Sequence, residues 1–161
     1  MRIQKILVIS ALTVLMLVSF IAEAAPLAFK YDYAQNFYGG VAWIEQDNHW
    51  GLIDKKGNVI VEPQYSSSFY FEEGLAKVQK STLVFSNNDI YGYDLYGFID
   101  KQGNEVVAPK YDLVEDFSEG MAGVSINKKW GFINREGRAV VPLKYYRVFD
   151  FHEGLAMVQK T

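Results

Sequence analysis

One short pattern recurs along the chain and limits what it can fold into. A Trp-Gly or Tyr-Gly pair stands at Trp50-Gly51, Tyr96-Gly97 and Trp130-Gly131, and six residues later comes a second glycine, Gly57, Gly103 or Gly137. A proline follows at Pro63, Pro109 and Pro142, then a tyrosine at Tyr65, Tyr111 and Tyr145. Six residues beyond the tyrosine stands Phe71, Phe117 or Phe151, and three further a glycine opens Gly-Leu/Met-Ala-x-Val at Gly74, Gly120 and Gly154. An earlier copy keeps only its second half, in Tyr31, Phe37 and Gly40-Val41-Ala42. Successive phenylalanines from Phe37 are 34, 46 and 34 residues apart, so the middle interval is one repeat with twelve extra residues. The units are a half repeat over 31–44, repeats over 49–78, 95–124 and 129–158, and an insertion over 80–94.

Each unit predicts short strands. Ala42 and Ile44, with Ala76 and Val78, Ala122 and Val124, and Ala156 and Val158, alternate with variable residues, as a half-buried strand requires. Trp50 to Asp54 and its counterparts are apolar on both faces, the mark of a strand covered on both sides. Asp54 to Gly57, Asp100 to Gly103 and Asn134 to Gly137 predict hairpin loops. A third strand, Val59 to Glu62, is expected to end at the proline, which cannot donate to a ladder. Tyr111, Val114 and Phe117, at i, i+3 and i+6, predict a 3₁₀-like segment that plugs aromatics under the sheet.

Three short strands in about 34 residues cannot bury their own apolar face, so a unit must lean on its neighbours. The fold class expected is all-β, a solenoid-like tandem array of three-stranded antiparallel units. An incomplete propeller-like arrangement is the alternative, against which stand the four strands of a usual blade and the small number of units. Either the first half repeat pairs with the last unit, or a strand edge stays open, which leaves room for an edge-to-edge dimer.

The N-terminus carries a different message. Arg2 and Lys5, the apolar run Ile6 to Ala22 and Ala22-Glu23-Ala24 predict a signal peptide over 1–24, removed before Ala25, and a repeat domain over 25–161. An exported protein, periplasmic or secreted, without stable membrane insertion after cleavage, is therefore expected. The chain has no cysteine, so disulfides, thiolate chemistry and Cys-based zinc sites are excluded. The whole chain has 16 Lys and Arg against 19 Asp and Glu; without Arg2, Lys5 and Glu23 the count is 14 against 18, a net charge of −4. That balance lacks the basic footprint of a nucleic-acid binder.

Trp50-Gly51-Leu52-Ile53-Asp54-Lys55-Lys56-Gly57, Trp130-Gly131-Phe132-Ile133 and the Glu-Gly-Leu-Ala runs at 73–76 and 153–156 resemble the bacterial WG, or KWG, repeat family. The resemblance covers essentially all of 25–161. It departs at Tyr96, which replaces the Trp, at Tyr38-Gly39 before Gly40, and in a Pro-to-Tyr gap one residue longer in the last copy. It implies a β-rich repeat scaffold, often exported or envelope-associated, with no catalytic residues to carry over.

The side chains that carry chemistry agree with that implication. His49 and His152 sit at unlike places in their repeats and read as surface residues, and no nucleophile elbow is present. The column Asp54, Asp100 and Asn134 offers one oxygen side chain per loop, which fits turn formation better than calcium. The column Glu73, Glu119 and Glu153 is expected to be solvated or paired with nearby lysines. Trp50, Tyr96 and Trp130 could form a sugar-gripping row, but Leu52 and Phe132 point the same way, so packing is expected. No enzyme activity, cofactor or metal is expected.

What departs from the repeat is more telling than what recurs. The insertion places Leu83-Val84-Phe85 and Ile90-Tyr91-Gly92-Tyr93 on either side of Ser86-Asn87-Asn88-Asp89, which predicts a long hairpin. Phe85, Tyr91 and Tyr93 near its tip are the candidate binding residues, as an aromatic contact surface. The function expected is a non-catalytic scaffold that binds an envelope or exported protein, or a cell-wall glycan. The alternative is an inhibitor or immunity-type partner that plugs its target with this hairpin.

Overall fold

The computed structural model describes residues 30–86 and 89–160, so the expected signal peptide over 1–24 lies outside the described residues. Strands β1 (Tyr33–Ala34), β2 (Val41–Gln46), β3 (His49–Asp54) and β4 (Val59–Tyr65) form the first antiparallel sheet, in that order. The second holds β5 (Ser67–Glu72), β6 (Leu75–Ser86), β7 (Asp89–Asp100) and β8 (Glu105–Tyr111). The third holds β9 (Leu113–Val114), β10 (Met121–Ile126), β11 (Lys129–Asn134) and β12 (Ala139–Tyr145). A two-stranded sheet of β13 (Arg147–Val148) and β14 (Val158–Gln159) follows. The chain is thus an all-β repeat array, as the sequence predicts, and β1 pairs with β2 alone.

Two local expectations are corrected. The segment expected to be a 3₁₀-like plug is the first strand of the next sheet, β5, β9 or β13, so the first three sheets have four strands each rather than three. The plugging itself is real, since each phenylalanine reaches back to the preceding sheet. Phe71 stacks on Trp43 at 6.1 Å, while Phe117 meets Phe98 edge-on at 4.8 Å and Phe151 meets Phe132 at 4.9 Å. The third strand does not stop at its proline either, because β4, β8 and β12 run through Pro63, Pro109 and Pro142 to the tyrosine.

The reason is a bulge. Trp50 pairs with Tyr65 and Leu52 with Val61, so Glu62, Pro63 and Gln64 together stand opposite Gly51. Tyr96–Tyr111 with Phe98–Val107, and Trp130–Tyr145 with Phe132–Val141, repeat the same shift. Inside a bulge the missing N–H of proline removes no ladder bond. The bulged strand presses on its partner: a Cβ on Gly97 would lie 2.3 Å from the Val107 carbonyl oxygen, and one on Gly51 2.5 Å from that of Val61. The Gly of the Trp-Gly pair and the proline twelve residues later, or eleven in the last copy, are therefore one device. It also absorbs the longer Pro-to-Tyr gap of the last unit, where Pro142 opens the bulge rather than occupying its centre.

The core lies between sheets. Trp43, Leu52, Val61 and Tyr65 of the first sheet pack on Phe71, Ala76, Val78 and Ile99 of the second. The opposite face of the second, with Leu75, Phe98, Val107 and Tyr111, packs on Phe117, Ala122, Val124 and Ile133 of the third. Neighbouring residues of β6 and β7 thus serve different cores, which is why Phe98 and Ile99 are both buried.

Two core phenols add a pH dependence. Burial, with a hydrogen bond from its hydroxyl to Glu105 Oε1 at 3.0 Å, pushes the Tyr65 phenol well above its usual range, and burial also raises Tyr111. A raised pKa favours the protonated form in the folded chain. This contribution is fully present below the unfolded value of about 10 and is lost as pH climbs above it. We expect the denaturation midpoint to fall between about pH 10 and pH 12, and less so in Tyr65→Phe. Ionisation of Tyr65 together with the exposed tyrosines, followed by absorbance at 295 nm, would contradict this.

Candidate functional site

Three features of the surface carry more than stacking. The first is a clasp along the turns that join each first strand to its second. Glu73-Gly74, Glu119-Gly120 and Glu153-Gly154 all have positive φ, 50–52° at the glutamates and 77–81° at the glycines, the tight turn that suits a hairpin's twist. Glu73 Oε2 accepts the N–H of Gly120 at 2.9 Å, and Glu119 accepts those of Glu153 and Gly154 at 2.8 and 2.7 Å. Arg135 of the third sheet donates to the Glu73 carbonyl oxygen of the second. The glutamate column, expected to be solvated or paired with lysines, instead ties each turn to the next by charge-assisted bonds. Glu119→Ala should lower stability by about 1–3 kcal/mol, with Glu119→Gln intermediate, in chemical denaturation.

The Asx column behaves as expected. Asp54 Oδ1 accepts the backbone N–H groups of Lys56 and Asn58 at 2.8 and 2.9 Å, and Asp100 repeats the pattern with Gln102 and Asn104. Those bonds, with the Asn58 amide first among the causes, hold the Asp54 carboxyl below its ordinary range. Trp50 packs on the core between the first two sheets, as its column predicts. His49 and His152 are exposed.

The second feature is the inserted hairpin. β6 and β7 are twelve residues each, against six for β2, β3, β10 and β11. β5 pairs with β6 only as far as Gln79, and β8 with β7 only from Tyr96, so the ribbon beyond has both edges unpaired among the described residues. Tyr91 and Tyr93 are exposed, and Tyr91 donates to Asp89 Oδ2 at 3.1 Å. Tyr91 and Tyr93 share one register face. The register pairs Tyr91 with Val84 and Phe85 with Ile90, and successive pairs alternate faces. Exposed Leu83, opposite Gly92, belongs to the Phe85 register face. Exposed Leu83 and the two exposed tyrosines thus lie on opposite faces of the ribbon.

The third feature was not read from the sequence. A groove of about 480 Å³ runs between the first two sheets and is lined by Tyr33, Gln35, Phe37, Tyr38, Tyr70 and Glu72, among others. Tyr33, Tyr38 and Tyr70 are 54, 65 and 79% exposed. A register shift between Ser68 and Phe71 marks a bulge in β5 that turns Tyr70 outward. Tyr33 rests edge-on against Trp50 at 5.9 Å, Lys101 Nζ lies 5.6 Å from the Tyr38 ring centre, and Gln35 Nε2 donates to Ser68 Oγ at 3.2 Å across the seam. The signal was present in the repeat alignment: the counterparts of Tyr33 are Ser67, Leu113 and Arg147, and those of Tyr38 are Glu72, Ser118 and His152. Tyr70 stands where the other units have Asn36, Asp116 and Asp150.

The corresponding seams differ. Between the second and third sheets Lys77 pairs with Asp116 at 3.0 Å, and the ammonium sits over the Phe69 ring. After the third sheet, Gly123 replaces that lysine, and a second groove of about 470 Å³ carries charges of both signs from Asp112, Glu115, Lys128 and Arg147.

No curated protein and no solved structure matches the chain. The model of the WG containing repeat matches residues 27–49, 50–81, 96–130 and 130–161. Those four segments contain the Trp-Gly bulges, the reaching phenylalanines and the clasped turns, and the chain belongs to the WG containing repeat family.

Proposed function

We propose that this WG repeat protein is an exported, non-catalytic scaffold whose projecting β6–β7 ribbon captures another exported or envelope protein. The observation that carries this reading is the ribbon itself: edges unpaired among the described residues and exposed Leu83, Tyr91 and Tyr93, on a stack of packed sheets. Exposed tyrosines supply large contact area at little entropic cost, and an unpaired edge can add a strand from a partner. The alternative of a plug-type inhibitor uses the same ribbon and differs only in whether the partner is an enzyme that loses activity.

The test is affinity capture from a native envelope extract, with Leu83→Ser/Tyr91→Ser/Tyr93→Ser beside the unchanged chain. The triple variant should keep its thermal midpoint, since all three residues are exposed, and lose the captured protein. Capture of the same protein by both chains would overturn the reading. Export is checked by the mass of the purified native protein, which should begin at Ala25.

A further inference from the structure

We propose that the groove between the first two sheets is an oligosaccharide-binding site, with Tyr33, Tyr38 and Tyr70 as stacking platforms and Gln35, Asn36 and Glu72 as hydrogen-bonding partners. This site is separate from the ribbon and does not depend on it.

Three observations carry the assignment. The first is that the tyrosines are not part of the buried core between units. The recurring aromatics that join one sheet to the next, such as Phe71, Phe117 and Tyr65, are buried. Tyr33, Tyr38 and Tyr70 recur nowhere else, are each more than half exposed, and converge on one seam. An exposed aromatic group gathered without a packing need marks a binding surface.

The second is pre-organisation. The bulge in β5 sets Tyr70 outward, and Trp43, buried behind it, donates its indole N–H to the Phe69 carbonyl oxygen at 3.0 Å. That bond fixes the bulged backbone beside Tyr70. Trp50 braces Tyr33, and Lys101 covers the Tyr38 ring on one side. A small recess of about 40 Å³ shares Gln35, Asn36, Tyr38, Tyr70 and Phe71 with the groove and reaches Trp43.

The third is the chemistry of the lining. A pyranose ring has C–H faces that pack on the electron-rich face of an aromatic ring, and equatorial hydroxyls that need both donors and acceptors. Two amides and a carboxylate beside the aromatic rings supply both. At about 480 Å³ the groove lies within the usual range of ligand sites, with room for more than one sugar ring. A purely apolar partner would leave those polar groups unpaired.

The experiment uses the chain without its leader and four soluble probes: tetramers of glucose, N-acetylglucosamine, mannose and xylose. Binding is followed by intrinsic fluorescence, in which Trp50 and Trp43 report, and by calorimetry. Saturable binding of at least one tetramer is expected. It should weaken tenfold or more in Tyr38→Ala/Tyr70→Ala, and stay within about threefold in Tyr70→Phe, which keeps the platform. The ribbon triple variant should bind sugar as the unchanged chain does. Absence of saturable binding to all four tetramers would overturn the proposal, and so would equal binding by Tyr38→Ala/Tyr70→Ala with an unchanged thermal midpoint. A double variant that melts early is replaced by Tyr70→Ala alone, whose 79% exposed side chain the core does not need, read by the same criteria.

Discussion

Phe98→Ala is expected to lower stability by about 3–5 kcal/mol, a large part of the roughly 5–15 kcal/mol that holds a domain of this size together. Phe98 is 1% exposed and belongs to the cluster that joins the second sheet to the third. Its ring meets Phe117 edge-on at 4.8 Å, so truncation removes an aromatic pair and leaves a cavity on the seam itself. Because each sheet depends on its neighbour, the loss should not stay local. Unfolding should remain one transition at a lower midpoint, or split so that the third sheet melts first, as nearest-neighbour coupling in a repeat array allows. Circular dichroism at increasing denaturant distinguishes these outcomes. A loss below about 1 kcal/mol would mean that the sheets do not rely on this seam.

Gly97→Ala is the second large effect, and it is a test of the Trp-Gly signature itself. A methyl group there would stand 2.3 Å from the Val107 carbonyl oxygen and 2.7 Å from the nitrogen of Pro109, both backbone atoms that cannot swing aside. The bulged strand must move, and a cost of about 1–3 kcal/mol or more is expected. Gly92→Ala is the internal control. Its added methyl would meet nothing nearer than the Leu83 side chain at 3.6 Å, and the change should stay within about 0.5 kcal/mol. If the two substitutions cost the same, close approach of β8 is not what requires glycine after the aromatic residue.

Much of this could be read before any coordinates. The alternation Ala76, Val78 and the doubly apolar Leu52-Ile53 gave strands and faces, because side chains alternate across a pleat whatever the neighbours do. The insertion between Val78 and Tyr96 read as a hairpin for the same reason, and it is one. Which face of the ribbon a residue takes was not legible, because face depends on register, and register is set by cross-strand pairing around the turn. The glutamate column was misjudged for a related reason: the partners of Glu73 and Glu119 are backbone N–H groups 47 and 34 or more residues away, and backbone groups leave no mark in a sequence. The groove left a trace, three tyrosines out of step with the repeat, but nothing local says that Tyr33 and Tyr70 share a seam.

The sequence alone determined that short strands repeat, which residues of each alternate toward a neighbour, and that no unit can stand by itself, since periodicity and apolar surface are properties of the chain. The tertiary structure decided the rest. Only stacking sets Tyr70 beside Tyr33 and Glu119 beside Gly154, and only cross-strand register turns proline and glycine into a single bulge, because proximity between units depends on how the sheets pack and not on the order of residues within them.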